Sequence, residues 1–204
     1  MLKPLRYHIT LVSSYPSEPV AGVDSFNILP LAFAGLGGSQ ASSGGTEGFK
    51  NIIKRIRPLA QKMRHWVAPW TIAFKHKQLL QIIATEKPDI LHAFRIPFEG
   101  MLAGFVANNI PVIISTWGND FTLHAPATQR MGALTRQALT RTTALLSDTQ
   151  VDVHRAAEWG FDAAKPSLAV PGNGGINLAE MQQACTGVVK SELFRVINPR
   201  GLRS

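Results

Sequence analysis

The stretch from Lys87 to His124 sets the strongest constraint on what this chain can fold into. It holds two short apolar runs, Ile90–Ala93 and Pro111–Ser115, on either side of an apolar segment with helical spacing, Phe98–Ala107. The second run is β-branched and apolar on both faces, which is typical of a strand in a parallel sheet covered by helices. The stretch therefore predicts a strand–helix–strand unit and, with it, an α/β fold.

Side chains suited to ligand binding follow both predicted strands. They are Arg95 and Glu99 after the first strand, and Trp117, Asn119, Asp120 and His124 after the second. In an open α/β sheet, ligands bind outside the carboxyl ends of the strands. We therefore predict a ligand-binding cleft at this edge of the sheet, lined by these six residues.

Most of these residues also have a purely structural interpretation. Arg95 can bind a phosphate or adjacent sugar hydroxyls through its fork of donors, or it can pair with Glu99 four residues later on a helix. Trp117 offers an apolar ring to a sugar, and Asp120 either binds sugar hydroxyls or caps the next helix. His124 is either a cleft residue or a surface residue. Both kinds of interpretation stay open at this point.

The rest of the chain continues the alternation of strands and helices. Pro30 argues against a strand at Phe26–Phe33, and Pro58 predicts a kink or restart in the first long helix. We predict strands at Tyr7–Val12, Leu145–Ser147 and Ser167–Val170, and helices at Phe26–Phe33, Lys50–Val67, Trp70–Ala84, Met131–Ala144 and from Thr149 to Gly160.

The positive charge of the chain is concentrated in one segment. The chain carries 21 Lys and Arg against 13 Asp and Glu, and residues 50–77 hold eight of the basic residues and no acidic one. Apolar residues from Ile52 to Trp66 recur at steps of three or four, which gives an apolar stripe opposite a basic face. Such a segment is typical of a helix on an anionic membrane surface, or of a packed helix with a basic solvated face.

Several classes of site and of compartment are disfavoured by the composition. Cys185 is the only cysteine, so no intrachain disulfide forms, which favours a reducing compartment. The six histidines have no metal-ligand spacing, so we predict no metal site. Neither a signal peptide nor a run of about 18 apolar residues is present. We expect a cytoplasmic protein that can lie peripherally at the inner face of the membrane through residues 50–77.

A family resemblance is carried by the motif PDILHAFRIPFEG followed by STWGNDFTLHA. These motifs resemble the N-terminal domain of the group-one, family 4-like nucleotide-sugar glycosyltransferases, which have the two-domain GT-B fold. The later motifs PGNGGINL and VINPRGLRS are similar to the end of that domain and the crossing to the second. The resemblance implies a Rossmann-like parallel sheet with helices on both faces in residues 1–183. It places the interdomain crossing and the truncated start of a C-terminal domain in residues 184–204.

The resemblance also implies an activity. The family transfers a sugar from a nucleotide-sugar donor to a hydroxyl of a glycan or lipid-linked acceptor, as in polysaccharide biosynthesis, with no cofactor beyond the donor. It adds Asn173 to the cleft residues, as part of the turn that ends the domain. The family's His-x-His pattern reads His92-Ala93-Phe94 here. We therefore carry over no catalytic histidine to this position. Because the resemblance places the family's donor-side residues in the second domain, we assign no catalytic residue and expect a fragment that is inactive without its donor-binding domain.

Two other classes of protein stay open as alternatives. A pI of about 10.1 suggests a non-catalytic nucleic-acid-binding domain. However, the charge is confined to one segment and no known nucleic-acid-binding module is present, so we expect no nucleic acid as partner. A nucleotide-dependent oxidoreductase on a similar fold is the second alternative. The Gly-rich stretch 35–48 lacks the Gly-x-Gly-x-x-Gly fingerprint, and this counts against it.

Overall fold

The computed structural model describes residues 7–31, 47–107, 110–170, 178–184 and 186, without the side chains of 47–62, 181 and 184. The strands are β1 (Thr10–Ser13), β2 (Ser25–Ile28), β3 (Leu91–Ala93), β4 (Val112–Thr116), β5 (Ala144–Ser147) and β6 (Ser167–Ala169). The α-helices are α1 (Glu47–Glu86), α2 (Met101–Val106), α3 (Gln129–Arg141), α4 (Gln150–Glu158) and α5 (Leu178–Ala184). Two single wide turns, Ile96–Gly100 and Asp120–His124, follow β3 and β4, and a 3-10 turn, Ala125–Ala127, follows the second.

Every strand pair in the described residues is parallel. Strand β1 pairs with β2, and β3, β4, β5 and β6 form a second sheet in chain order. Helices connect the strands of the second sheet, because parallel neighbours need a crossover connection. The prediction of an α/β fold with Rossmann-like parallel sheets flanked by helices is confirmed.

Helix α2 joins two apolar clusters. In one cluster Met101 and Leu102 pack with Ala68 and Ile72 of α1, and in the other Ala103 packs with residues of the sheet. The sheet side of the second cluster consists of Val112 and Ile114 of β4 and Leu145 of β5, packed with Ala138 and Leu139 of α3. These short strands are held in place chiefly by burial of their apolar faces against helices.

Helix α1 differs from the two helices predicted for this region. It continues through Pro58 and Pro69 to Glu86 as one helix of 40 residues. The residues on either side of Pro69 share one buried face, with Ala68 and Ile72 both at 0% exposure. This packing outweighs the lost backbone hydrogen bonds that make proline a helix breaker. Within the described part of the chain, neither α1 nor any other helix has the length and apolarity to cross a membrane.

The end of α1 is fixed to the first sheet by its last side chain. Glu86 accepts hydrogen bonds from the hydroxyls of Thr10 in β1 and Ser25 in β2, both at 2.8 Å. These two hydroxyl donors hold the pKa of Glu86 below its usual range. The helix therefore runs from the basic segment to the sheet as one continuous element.

The helix predicted at Phe26–Phe33 was wrong, because strand β2 occupies Ser25–Ile28. Pro30 lies beyond the last residue of this strand, so it removes no hydrogen bond from the ladder. The backbone N–H of Leu29 still donates to Ser13 O, at 2.8 Å. The pairing with β1 is a contact between segments distant along the chain, which local spacing does not reveal. The end of the predicted helix lies outside the described residues.

The remaining predicted elements are present with shifted ends. The first strand begins at Thr10, and the helix predicted from Phe98 begins at Met101, after non-helical conformations at Pro97 and Phe98. The predicted start of α4 is confirmed, because the Thr149 side chain accepts from the backbone N–H of Asp152. Residues 35–46 of the predicted loop 35–48 lie outside the described residues, and residues 47 and 48 form the start of α1.

The chain divides into two compact units, Met1–Gly172 and Asn173–Ser204. The first unit contains both sheets and helices α1 to α4. The second unit contributes helix α5 to the described structure. The domain boundary that we placed at residue 183 stays a prediction.

Gly104 is a point of close approach between α2 and α3. A Cβ atom at this position would lie 2.8 Å from the Cα atom of Ala138. We expect Gly104→Ala to lower the free energy of unfolding by about 1–3 kcal/mol, because backbone must move to admit the methyl group. Urea denaturation measures this difference. Gly118→Ala is the control, since its Cβ would meet only Asp152 Oδ2 at 3.9 Å. Equal losses in both variants would contradict this packing argument.

Candidate functional site

An ion pair with one buried partner joins the turns that follow β3 and β4. The Nη2 atom of Arg95 lies 2.9 Å from Oδ1 of Asp120 and 3.1 Å from Oδ1 of Asn119. The other carboxylate oxygen of Asp120 accepts from the backbone N–H groups of Trp117 at 3.1 Å and Ile96 at 3.3 Å. Asp120 thus fastens both turns together and sets the direction of the Arg95 side chain.

The two partners of this ion pair differ in exposure. The side chain of Asp120 is 0% exposed, whereas that of Arg95 is 39% exposed. Burial raises the pKa of Asp120, and the hydrogen bond and charge of Arg95 act in the opposite direction. Removal of Arg95 would leave the carboxylate buried without a counter-charge, which is costly. Because Arg95 is the exposed member of the pair, it is the one that can reach a ligand.

The turn after β3 is built around a tight backbone contact. The backbone N–H of Gly100 donates to Arg95 O at 2.8 Å, and a Cβ atom on Gly100 would lie only 2.7 Å from that oxygen. Phe98 adopts φ +70° and ψ −59°, a conformation that is strained for a residue with a side chain. Its ring is buried in the cluster with α1 and α2. Burial of the Phe98 ring offsets this local strain and holds the turn in shape.

A cavity of about 350 Å³ lies beside β1, β3 and this turn. Its lining combines aliphatic side chains such as Leu79 and Leu102 with the polar or aromatic side chains of Arg95, Glu99 and Trp117. Glu99 accepts a hydrogen bond from the hydroxyl of Ser14, which follows β1. The Arg95–Glu99 salt bridge considered from the sequence is not the pairing found, because Arg95 pairs with Asp120.

Aromatic residues form a second part of the cavity lining. The indole N–H of Trp117 donates to Phe94 O at 2.8 Å, while the Trp117 residue stays 55% exposed. The Phe94 and His92 rings lie 4.7 Å apart, and His92 shares a hydrogen bond with Ser115 Oγ at 2.8 Å. Burial lowers the pKa of His92. The fixed indole and its exposed ring face suit packing against the apolar face of a sugar.

His124 contacts a histidine from helix α1. His65 Nε2 and His124 Nδ1 share a hydrogen bond of 3.0 Å. Burial, together with the charges of Arg95, His65 and Arg64, lowers the pKa of His124 to about 4. Burial and the charge of Arg64 also lower the pKa of His65. Both imidazoles are therefore neutral near pH 7.

Arg64 lies next to this histidine pair and contacts two aromatic residues. Its Nη2 atom donates to the hydroxyl of Tyr15 at 2.7 Å. Its guanidinium carbon lies 4.7 Å from the centre of the Phe98 ring. Sequence reasoning missed Arg64, His65 and Tyr15 as site residues, because they are distant in sequence from the strands that define the cleft. The only signal was the basic charge of residues 50–77.

The predicted site residues fall into four groups in the structure. Arg95, Glu99 and Trp117 line the cavity, Asn119 and Asp120 hold Arg95, His124 pairs with His65, and Asn173 lies outside the described residues. Acceptor binding by these residues stays a prediction. Among the side chains that the structure describes, no three His, Cys, Asp or Glu residues are grouped so as to hold a metal ion.

A parallel α/β unit with a ligand-sized cavity at the carboxyl edge of its strands defines the class of Rossmann-like ligand-binding domains. A family model described as glycosyl transferase 4-like matches residues 2–149, more than half of the chain. The chain belongs to this glycosyl transferase 4-like family, and the resemblance to the N-terminal half of a GT-B enzyme is confirmed. No curated protein matches the chain. The family match favours glycosyl transfer over the nucleic-acid-binding and oxidoreductase alternatives.

Acidification should destabilise the protein through His124. Its pKa is about 4 in the folded state against 6.5 ordinarily, so the unfolded chain takes up this proton first as the pH falls. The free energy of unfolding should therefore decrease as the pH falls from about 6.5 to about 4. In His124→Gln this part of the decrease should disappear, as measured by urea denaturation at a series of pH values. His154→Gln, on the exposed surface of α4, is the matched control and should keep the wild-type curve. A His124→Gln curve parallel to the wild-type one would contradict the assignment.

Proposed function

We propose that this domain binds the acceptor in the transfer of a sugar from a nucleotide-sugar donor to a hydroxyl group. The acceptor is a glycan or a lipid-linked glycan. One observation carries the proposal: Arg95, Glu99 and Trp117 meet on one cavity at the carboxyl edge of the strands, in a chain of the glycosyl transferase 4-like family. This arrangement supplies a cation, a carboxylate and an aromatic ring within a single pocket.

Each of these three side chains suits a different part of a sugar acceptor. The guanidinium of Arg95 is held by Asp120, and its remaining donors can bind adjacent hydroxyls or a phosphate. The carboxylate of Glu99 can accept a hydrogen bond from an acceptor hydroxyl, as it does from Ser14. The exposed ring face of Trp117 can cover the apolar face of the sugar ring. Together they would fix the acceptor in one orientation.

The proposed reaction needs a donor-binding domain in addition to this one. The acceptor oxygen forms a bond to the anomeric carbon of the donor sugar, and the bond from that carbon to the nucleotide diphosphate breaks. The proton of the acceptor hydroxyl leaves together with the diphosphate. Because the donor itself is the activated species, the proposed reaction requires no further cofactor. The contribution of this domain is positioning of the acceptor.

We further propose that α1 lies on an anionic membrane surface at the cytoplasmic face. Met63, Trp66, Trp70 and Phe74 recur at steps of three or four and are 58%, 72%, 55% and 78% exposed. They form an exposed apolar stripe along the helix, opposite its buried face. The same segment, residues 50–77, holds eight basic residues and no acidic one. Tryptophan together with basic residues on one helix favours the interface of an anionic bilayer.

Saccharide binding tests the proposed acceptor site. Arg95→Lys should weaken binding about tenfold, because lysine keeps the charge but loses the fork of donors. Trp117→Leu should weaken it through loss of the ring face. Saturation-transfer NMR with a panel of neutral oligosaccharides measures both effects. Arg136→Lys, on α3 away from the cavity, is the matched control and should bind as the wild type does. Absence of binding across the panel, or equal binding by all variants, would count against the proposal.

Vesicle binding tests the proposed membrane surface. The double variant Trp66→Ser/Phe74→Ser should bind vesicles of phosphatidylglycerol and phosphatidylcholine about tenfold or more weakly, since two large apolar side chains no longer insert. Its folding should be little affected, because both residues are largely exposed. Cosedimentation measures the binding. Val151→Ser, at an exposed apolar position on α4, is the control. Equal affinity of the wild type for neutral and anionic vesicles would contradict the proposal.

A further inference from the structure

Arg64, His65 and His124 form a cluster beside the cavity that the proposed acceptor contacts do not use. Helix α1 supplies Arg64 and His65, and the turn after β4 supplies His124. The charges of Arg64, Arg95 and His65 all act on His124. Tyr15 lines the cavity and accepts a hydrogen bond from Arg64, which places this cluster next to the proposed acceptor site.

Arg64 has one buried donor that forms no hydrogen bond among the described residues. Within the described part of the chain it forms no ion pair, and its Nε atom is buried without a hydrogen-bond partner. Its guanidinium carbon lies over the rings of Phe98 at 4.7 Å and Tyr15 at 5.9 Å, which restricts its movement. The Nε atom of Arg95 is likewise buried without a partner. A guanidinium held in place between aromatic rings and bearing no counter-charge is suited to bind an oxyanion.

The histidine pair can gain a donor by taking up one proton. The hydrogen bond between His65 Nε2 and His124 Nδ1 leaves one ring nitrogen on each residue, His65 Nδ1 and His124 Nε2. In either tautomer of the neutral pair, one of these two nitrogens carries a hydrogen and the other a lone pair. One added proton makes both of them donors and preserves the hydrogen bond between the rings. An anion is the ligand that would favour this protonated state.

We propose that Arg64, His65 and His124 bind a phosphoryl group and that its binding is coupled to uptake of one proton by the histidine pair. The inference rests on the proposed function in one respect: it extends the acceptor site to an acceptor that carries a phosphoryl group. The chemistry is that of a phosphate ester or diphosphate, supplied either by a lipid headgroup or by a soluble phosphoester.

The charges around the cluster explain why a proton accompanies the anion. The charges that act on the histidines are those of Arg64 on α1 and Arg95 after β3. Around these two arginines, Tyr15 accepts a hydrogen bond from Arg64, Asp120 pairs with Arg95, and Glu99 lines the adjacent cavity. Two arginines thus stand against two carboxylates, and both carboxylates already accept hydrogen bonds. The neutral cluster has little net charge, so the added proton supplies the positive charge that a dianion requires.

Calorimetric titration with pyrophosphate and with inorganic phosphate tests the site. The wild type should bind both, and Arg64→Gln should weaken binding about tenfold or more through loss of the guanidinium charge. Arg64→Lys should recover part of the affinity, which separates loss of charge from loss of folding. Arg136→Gln is the matched control, because Arg136 lies 4.7 Å over the ring of Trp159. Absence of binding, or an equal loss in Arg136→Gln, would overturn the proposal.

Sulfate is the probe for the coupled proton, because it stays a dianion across the tested range. Wild-type affinity for sulfate should increase as the pH falls from about 7.5 to about 6. His124→Gln should bind sulfate with no such increase, since the proton-accepting pair is broken. The Cε1–H NMR signals of both histidines should move towards their protonated positions when sulfate binds. An affinity that does not change with pH in the wild type would overturn the coupling.

Competition against pyrophosphate distinguishes the two sources of the phosphoryl group. If short-chain phosphatidic acid displaces pyrophosphate at a lower concentration than glycerol phosphate does, the phosphoryl group belongs to a lipid. Any other order assigns the phosphoryl group to a soluble phosphoester. Either order supports the site.

The saccharide test uses neutral sugars with variants of Arg95 and Trp117. Intact saccharide binding without pyrophosphate binding would therefore overturn this inference alone.

Discussion

The candidate site depends on the hydrogen bonds and the ion pair that the buried carboxylate of Asp120 forms. It bonds to the Arg95 guanidinium and to the backbone N–H groups of Ile96 and Trp117, so it ties the turn after β3 to the turn after β4. A carboxylate with no exposed surface stays charged only while such donors surround it. The position of Arg95 and the course of both turns are therefore set by one side chain. The cavity beside them takes its shape from this constraint.

Helix α1 connects this edge of the sheet to the exposed surface of the domain. One face of the helix buries Ala68 and Ile72, and the opposite face exposes Trp66 and other large apolar side chains. Near the same point along the helix, His65 forms a hydrogen bond with His124, and Arg64 lies beside this pair. A membrane-bound α1 would hold the phosphoryl cluster near the lipid headgroups. The proposed membrane surface and the proposed phosphoryl site would then act on the same lipid-linked acceptor. A single long helix can do this because its faces repeat every three to four residues.

Part of the candidate site could be predicted from sequence because it follows strands. Arg95, Glu99 and Trp117 come directly after runs that are apolar enough to be recognised as strands of a parallel sheet, and such residues gather at one edge. Arg64 and His65 could not be predicted in this way, because they lie in the middle of a helix. Their place in the site depends on how α1 packs, which is a contact between distant segments.

Sequence alone determined the α/β class, the parallel sheet and the edge beside which the cavity lies, because period and composition report local burial. It also determined the glycosyl transferase 4-like resemblance through short motifs. Only the tertiary structure decided that β2 is a strand, since its partner β1 precedes it by a loop and local spacing favoured a helix. Only the tertiary structure showed that Arg95 forms its ion pair with Asp120 and not with Glu99. The reason is that ion pairing depends on distance in space and on burial, and not on separation along the chain.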